Sequence, residues 1–306
     1  MIETIIFSAV ALLVTYGMAW WARRAQGDKS ASMGLYLVIG IPAVLLLVAG
    51  AAFAVAGERI GIALLAIGLG LGLPLVPKVR IALARVTPLD PTSRIDMVGM
   101  SVLFGLMAFL IVSFFASSEP NDETGAVSLA DLLLQVILFV GLAFITVGTG
   151  VYRTFRQAVD RLGLRPISIV GIAVAAASVI GMLFISGIAG VLTELIQPDV
   201  VDDLNQVTNE MTADVQNLPG AVALGLSAGI GEELLMRGAI QPRFGIVITS
   251  LFFALLHTQY GLTFVLLGLF ALGMVLGWLR NRYGTIAPII AHALFNIIVV
   301  LIQAAA

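Results

Sequence analysis

The chain has no cysteine, only two histidines and few charged residues, and these scarcities exclude several kinds of protein. Without cysteine there is no disulfide framework, no thiolate metal site and no cysteine nucleophile. Charged residues make up 11% of the 306 residues, whereas soluble domains carry about 25%. The net charge of −2 argues against a nucleic-acid partner. Hydrophobic residues make up 60% of the chain, and this composition indicates a helical membrane protein.

Long apolar runs give the expected number of membrane crossings. A span needs about 20 apolar residues, and we expect an all-α membrane protein with about ten transmembrane helices. The run at 5–22 is expected to be a retained helix rather than a cleaved signal peptide, because no basic segment precedes it and Arg23 and Arg24 follow it. The ten runs, of which the eighth is short, are 2–22, 34–56, 60–77, 97–117, 129–151, 167–196, 220–242, 246–258, 261–279 and 284–303.

Basic residues alternate between successive predicted loops. The loops on one side hold only Arg59, and two of them, 117–128 and 197–219, are acidic. The positive-inside rule then places both termini outside a cell membrane. Loop 197–219 also has apolar residues at helical spacing, which predicts an amphipathic helix that caps the bundle rather than a substrate lid. The basic positions are loops 23–33, 78–96, 152–166 and 280–283 and the junction at Arg243.

Five ionisable groups interrupt the apolar runs of the C-terminal part. Glu232, Glu233 and Arg237 fall in the seventh run, His257 in the eighth and His292 in the tenth. At 1.5 Å per residue, Glu232 and the two histidines lie roughly 12–18 Å from one surface. Ionisable groups inside a membrane are costly and mark function. We therefore expect the catalytic groups in a C-terminal helical bundle.

The spacing of these residues predicts which side chains share a helix face. Glu233 and Arg237 are four apart and can pair, which leaves Glu232 without that partner and suited to act as a general base. His292 and Asn296 are also four apart, and the Asn296 amide can donate two hydrogen bonds.

Two further patterns concern packing and the short eighth run. Gly225 and Gly229 form a small-xxx-small pair that allows another helix to approach closely. The residues from 246 to 279 are too few for two full crossings, so the turn at 258–261 is expected to lie below the outer surface, beside a water-filled cavity with His257 at its edge.

Three short motifs in the C-terminal part resemble those of a known protein family. Glu232-Glu233-x-x-x-Arg237, Phe253-x-x-x-His257 and His292-x-x-x-Asn296 resemble the signature of the CPBP intramembrane proteases. That family includes the type II CAAX prenyl endopeptidases and abortive-infection-like relatives. The run at 161–166 resembles the segment that precedes the family's core, so the resemblance covers about 161–298. The chain accordingly divides into N-terminal membrane helices at 1–128, with about four spans, and a protease core at 129–306.

The resemblance implies hydrolysis of a peptide bond in a membrane-embedded or membrane-proximal substrate by an activated water. Glu232 would be the general base, His257 would help to hold the water, and His292 and Asn296 would stabilise the oxyanion. Glu233 and Arg237 would hold the carboxylate helix in place. The expected partners are membrane lipids and a membrane protein or peptide substrate.

A metal and a different function class are the alternatives. Glu232, His257 and His292 are candidate zinc ligands, although no helix presents two histidines, and a metal-free mechanism with a glutamate-activated water is preferred. The same three residues would form the relay of a proton-coupled transporter. A transporter should show paired interruptions in two related halves, and the sequence shows none. A structural scaffold is the third class.

Overall fold

The computed structural model describes residues 2–116 and 126–305. Within these ranges the chain is all-α, as predicted, and has no strand beyond one isolated bridge between Thr149 and Arg153. The α-helices are α1 (Ile2–Arg24), α2 (Lys29–Val55), α3 (Ile60–Gly72), α4 (Pro77–Leu83), α5 (Arg94–Ala116), α6 (Leu129–Thr146), α7 (Phe155–Arg161), α8 (Ile169–Ile196), α9 (Val201–Thr212), α10 (Leu218–Glu233), α11 (Gln241–Leu255), α12 (Phe264–Tyr283) and α13 (Ile286–Ala305). A π-helix, Leu234–Ile240, joins α10 to α11.

The helices identify a multi-pass membrane protein, with fewer candidate spans than the ten predicted. Among residues 2–116 and 126–305, eight helices are long and apolar enough to cross a membrane, or nine if α3 and α4 together form one span. Two predicted spans are missing from the count of eight. One is the run 60–77, which is bent between α3 and α4, and the other lies in Leu218–Leu255, which counts as one helix of 38 residues where the sequence predicted two spans. The outside location of both termini stays a prediction.

The chain reverses its direction within Leu218–Leu255. Gly245 has a φ of 79° and a ψ of 169°, a left-handed backbone conformation that glycine adopts without a steric penalty. Sixteen residues of straight helix would separate Arg237 from Phe253 by about 24 Å, yet the Arg237 guanidinium lies 4.9 Å from the centre of the Phe253 ring. The helix therefore folds back at Gly245, between the two predicted spans, and their number as full crossings stays a prediction.

Residues Tyr16–Ser118 form one of two compact units. In this unit α3 gives way to a short 3-10 helix, Leu73–Leu75, and α4 then leaves at an angle of 87°. Proline at positions 74 and 77 accounts for the break, because proline lacks the amide hydrogen that a continuous helix needs and is favoured in the first turn of a new one.

Arg80 holds this bend from inside. Its side chain is 4% exposed, and its guanidinium donates to the carbonyl oxygens of Pro74 at 2.8 Å, Leu75 at 3.0 Å and Pro91 at 2.9 Å. It also donates to the Tyr36 hydroxyl at 3.4 Å. The carbonyl groups that the helix break leaves open are therefore satisfied by one buried cation.

Replacing Arg80 with leucine should destabilise this unit. Arg80→Leu leaves one buried carbonyl group, that of Pro74, and two partly buried ones, those of Leu75 and Pro91, without a donor, so the free energy of unfolding should fall by about 3 kcal/mol. Denaturant titration in mixed micelles measures the change. Arg85→Leu is the matched control, since Arg85 is exposed, and an equal loss in both variants would contradict the role of Arg80.

The other compact unit comprises residues 1–15 together with 119–306, and the predicted boundary at 128/129 stays a prediction. Its core forms where α8, α12 and α13 pack together. The buried residues of that core are Ala175, Val179, Met182, Leu272, Leu276, Leu279, Ala287, Ala291 and Phe295.

The predicted amphipathic helix in loop 197–219 is present as α9. Val207 in α9 and Val215 just after it are buried, whereas Asp202 and Asp203 are exposed, as the spacing predicted. The other acidic loop, 117–128, lies outside the described residues except for its last three positions.

Candidate functional site

The predicted site residues come from α10 and the π-helix that follows it, from the turn just after α11, and from α13. Glu232, His257, His292 and Asn296 line one cavity of about 520 Å³. Its other walls come mostly from apolar residues of α6, α8 and α12 and from the inner face of α9. The cavity therefore combines a few polar groups with a mostly apolar lining, which is typical of a ligand site.

Glu233 lies behind the cavity wall and joins two of the motifs. Its side chain is fully buried, and its Oε1 accepts a hydrogen bond from Nδ1 of His292 at 2.9 Å. Its Oε2 lies 3.3 Å from Nε of Arg237. Glu233 thus orients the His292 ring, a contact that the sequence did not predict, and leaves Nε2 as the remaining ring nitrogen.

Arg237 is also fully buried and is held from several directions. Its Nη2 donates to the carbonyl oxygen of Gly273 in α12 at 3.4 Å. Its Nη1 has no hydrogen-bond acceptor among the described residues, and its guanidinium lies over the ring of Phe253. A cation–π contact offsets part of the cost of burying this charge.

The π-helix Leu234–Ile240 directly follows the two carboxylates. Wide π turns often occur at functional sites, and this one contains Arg237. Two further arginines bind its carbonyl groups. Arg280 Nε donates to the Arg237 carbonyl at 2.9 Å, and Arg161 Nη1 donates to the Gly238 carbonyl at 3.1 Å.

Helices α10 and α13 touch backbone to backbone, as the glycine spacing predicted. A Cβ atom on Gly225 would lie 2.6 Å from the Ala293 carbonyl oxygen, and one on Gly229 would lie 2.8 Å from that of Ile289. No larger residue fits at these distances. The close approach sets the register of α10 against α13 and so brings Glu233 to His292.

Glu232 faces the cavity and has a partner that the sequence reasoning missed. Gln135 of α6 donates from Nε2 to Oε1 of Glu232 at 3.2 Å. Glu232 is half-buried, and this bond fixes the direction of its carboxylate. Gln135 is the one amide in the apolar run 129–151, which is the signal that could have identified it.

His257 stands at the C-terminal end of α11. Its Nδ1 makes a hydrogen bond of 2.9 Å with the carbonyl oxygen of Phe253, which leaves Nε2 as the other ring nitrogen. The Tyr260 ring stacks on the imidazole, with 6.3 Å between the ring centres. The 3-10 turn Thr258–Tyr260 contributes two residues to the cavity lining, so a cavity does lie beside this turn, whereas its water content and the depth of the turn stay predictions.

Phe253 connects the second motif to the other two. Its ring centre lies 4.9 Å from that of His257 and 5.8 Å from that of His292, edge-on in the second case. Together with the Arg237 contact, these distances make Phe253 the packing centre of the site. Its spacing to His257 in the motif therefore has a structural reason.

The segment 161–166 anchors the start of α13. The backbone amide of Thr285 donates to the Gly163 carbonyl at 3.0 Å, and its hydroxyl donates to the Leu162 carbonyl at 2.5 Å. With Arg161 bound to the π-helix, this segment holds the helices of two motifs at once. That is the structural role of a run that the sequence tied only to a family resemblance.

The zinc hypothesis gains no support from the arrangement. In the part of the chain that the structure describes, no group of three His, Asp or Glu side chains could hold a metal ion. Glu232, His257 and His292 therefore do not form a three-ligand group in this arrangement, and a requirement for zinc stays a prediction.

One comparison with known proteins gives a result. Residues 214–298 match the family model described as type II CAAX prenyl endopeptidase Rce1-like. No curated protein and no solved structure matches the chain significantly. The matched range contains all six predicted site residues, while residues 161–166 lie outside it.

Proposed function

The Rce1-like domain at residues 214–298 supports the assignment of this chain to the CPBP intramembrane protease family, and on that premise we propose that it is an intramembrane endopeptidase that cleaves its substrate with a glutamate-activated water. The substrate is a membrane-embedded or membrane-proximal peptide segment. The observation that carries the proposal is the single cavity into which three separate motifs place Glu232, His257, His292 and Asn296.

In the proposed first step, Glu232 takes a proton from a water molecule while the water oxygen attacks the carbonyl carbon of the scissile bond. The hydrogen bond from Gln135 orients the carboxylate, and Nε2 of His257 holds the water. The C=O electron pair moves onto the carbonyl oxygen and forms an oxyanion. Nε2 of His292 and the amide of Asn296 donate hydrogen bonds to that oxyanion.

In the second step the tetrahedral intermediate collapses. The oxyanion re-forms the C=O bond, the C–N bond breaks, and Glu232 gives its proton to the leaving amine, so that the products are a carboxylic acid, which carries the second proton of the water, and an amine. Throughout, the Glu233 carboxylate stabilises positive charge on the His292 ring, so that both ring nitrogens can carry protons. Glu233 and Arg237 therefore act as positioning residues.

The family match favours a hydrolase over the alternative, a proton-coupled transporter.

The experiment that separates an endopeptidase from a transporter uses the purified chain in vesicles. The substrates are quenched fluorescent peptides that have apolar central segments, with and without a prenylated cysteine. We expect cleavage of at least one peptide. Collapse of an imposed pH gradient without any cleavage would overturn the proposal.

Solvent isotope labelling tests the mechanism. In H₂¹⁸O, with enzyme in excess over peptide, the first turnover should place one ¹⁸O atom in the new carboxylate and none in the protein. Mass spectrometry of the product and of the peptide that contains Glu232 measures both. Label in the Glu232 side chain would indicate a covalent acyl intermediate and contradict direct attack by water.

Asn296→Ala should lower kcat by about 10²-fold or more, because one oxyanion donor is lost. KM should change little, since the oxyanion exists only after attack begins. Asn205→Ala is the matched control, because Asn205 is exposed on α9. A loss confined to KM would contradict the assignment of Asn296 as an oxyanion donor.

A further inference from the structure

A second cavity, of about 470 Å³, lies where α7, α8 and α12 end or begin. Arg165, Arg280 and Arg282 line it, and Asp160 is the single carboxylate among its lining residues. Three positive charges thus face one negative charge. None of these residues belongs to the catalytic cavity.

The cavity arginines have no carboxylate partner of their own. Within the described ranges, no ion pair joins Arg165, Arg280 or Arg282 to an acidic side chain. Arg280 is partly buried, and only its Nε is engaged, with the Arg237 carbonyl. Like charges held together without a counterion repel one another, so a bound anion would stabilise this arrangement.

Nearby Arg161 adds to the same field of positive charge. Burial, and after it the neighbouring Arg153 and Arg280, lower the pKa of Arg161 below its ordinary value. The 28-residue helix α8 also begins at the cavity, with its cap residue Ser168 in the lining. The partial positive charge of that helix terminus adds to the attraction for an anion.

The aromatic residues beside the cavity indicate its depth. Tyr283 lines the cavity and meets the ring of Trp278 edge-on, with 6.1 Å between the ring centres. Trp278 is 50% exposed on the surface of α12. Tryptophan and tyrosine beside basic residues mark the level of lipid headgroups in a membrane.

We propose that this cavity is a binding site for a phosphate group. Arginine binds phosphate oxygens through paired N–H donors, and basic pockets between membrane helices hold phosphate-bearing headgroups. The same chemistry would accept an anionic phospholipid headgroup or a soluble phosphate. A bound phosphate would neutralise the charge around Arg280, which holds the Arg237 carbonyl and so braces the π-helix next to Glu232 and Glu233.

The test measures binding alone and does not depend on proteolytic activity. Native mass spectrometry from detergent compares phosphatidylglycerol with phosphatidylcholine, and a parallel titration uses inorganic phosphate. The proteins are the wild type, the double variant R165Q/R282Q and R156Q. Arg165, Arg282 and Arg156 are all exposed, and Arg156 lies outside the cavity lining, which makes R156Q the matched control.

We expect one phosphatidylglycerol to stay bound to the wild type and to R156Q, with affinity at least tenfold weaker in R165Q/R282Q. Saturable phosphate binding that is lost in the double variant, with no preference for phosphatidylglycerol, would support the site and identify a soluble source. The proposal would be overturned if the wild type, R156Q and R165Q/R282Q all retained both lipids equally and none of them bound phosphate saturably. R165K/R282K should retain part of the affinity, because the charge remains while the paired donors are lost.

Discussion

Glu232→Gln is expected to lower kcat/KM for peptide hydrolysis by about 10² to 10⁴-fold, the range typical of a lost general base. Glutamine has nearly the same shape as glutamate, so the side chain still reaches the cavity and the amide of Gln135. It has no carboxylate to take a proton from water. Steady-state cleavage of the best peptide substrate, measured in the same vesicles for both proteins, gives the ratio.

The control for this variant is Glu194→Gln, because Glu194 is exposed on α8 and does not line the cavity that contains Glu232. Its activity and its unfolding midpoint should both match the wild type. Glu232→Gln should also keep its unfolding midpoint, since Glu232 is only half-buried. Cleavage at the wild-type rate by Glu232→Gln would remove Glu232 from the mechanism.

Breaking the buried Glu233–Arg237 pair is expected to cost about 3–5 kcal/mol of unfolding free energy in either single variant. Both side chains are fully buried, so Glu233→Gln leaves the Arg237 cation uncompensated and Arg237→Met leaves the carboxylate with only its bond to His292. The double variant Glu233→Gln/Arg237→Met carries neither charge and should recover much of that loss. Denaturant titration of all four proteins closes the cycle.

Activity should not recover together with stability in the double variant. Without the Glu233 carboxylate, the His292 ring loses the charge that stabilises its protonated form, and kcat should remain lower by about 10²-fold or more, as when a histidine loses its orienting acid in a catalytic triad. Restored stability with restored kcat would show that Glu233 serves only to neutralise Arg237. Additive losses of stability would show that the pair does not interact.

The six predicted site residues stand out in the sequence because each breaks an apolar run. Glu232, Glu233, Arg237 and the two histidines stand out where lipid-facing helices carry no charge, and Asn296 follows His292 at one helical turn. The single cavity agrees with the common depth predicted for Glu232, His257 and His292. The glycine pair in α10 was equally visible, because small residues four apart allow two backbones to meet.

The contacts between distant segments were not visible. Gln135 is neutral and ninety-seven positions from Glu232, so no local pattern ties the two together. Arg280 and Arg161 fall in predicted basic loops, and the positive-inside rule accounts for arginines there. Nothing in the sequence indicates that they bind carbonyl groups of the π-helix. A hydropathy window also does not reveal that Gly245 takes a positive φ, although the two predicted runs, 220–242 and 246–258, did place a reversal between them.

The π-helix Leu234–Ile240 makes the length of this segment matter more than its composition. A π turn takes up about one residue more than an α-helical turn for the same rotation. If all seven residues took α geometry, everything beyond them would be rotated by about 100°, and the return arm with Phe253 and His257 would meet the wrong side of α10. Deleting one residue would instead let the turn relax to α geometry with the rotation preserved. Grafts from related proteins should therefore supply either seven residues in a π turn or about six in a regular α-helix.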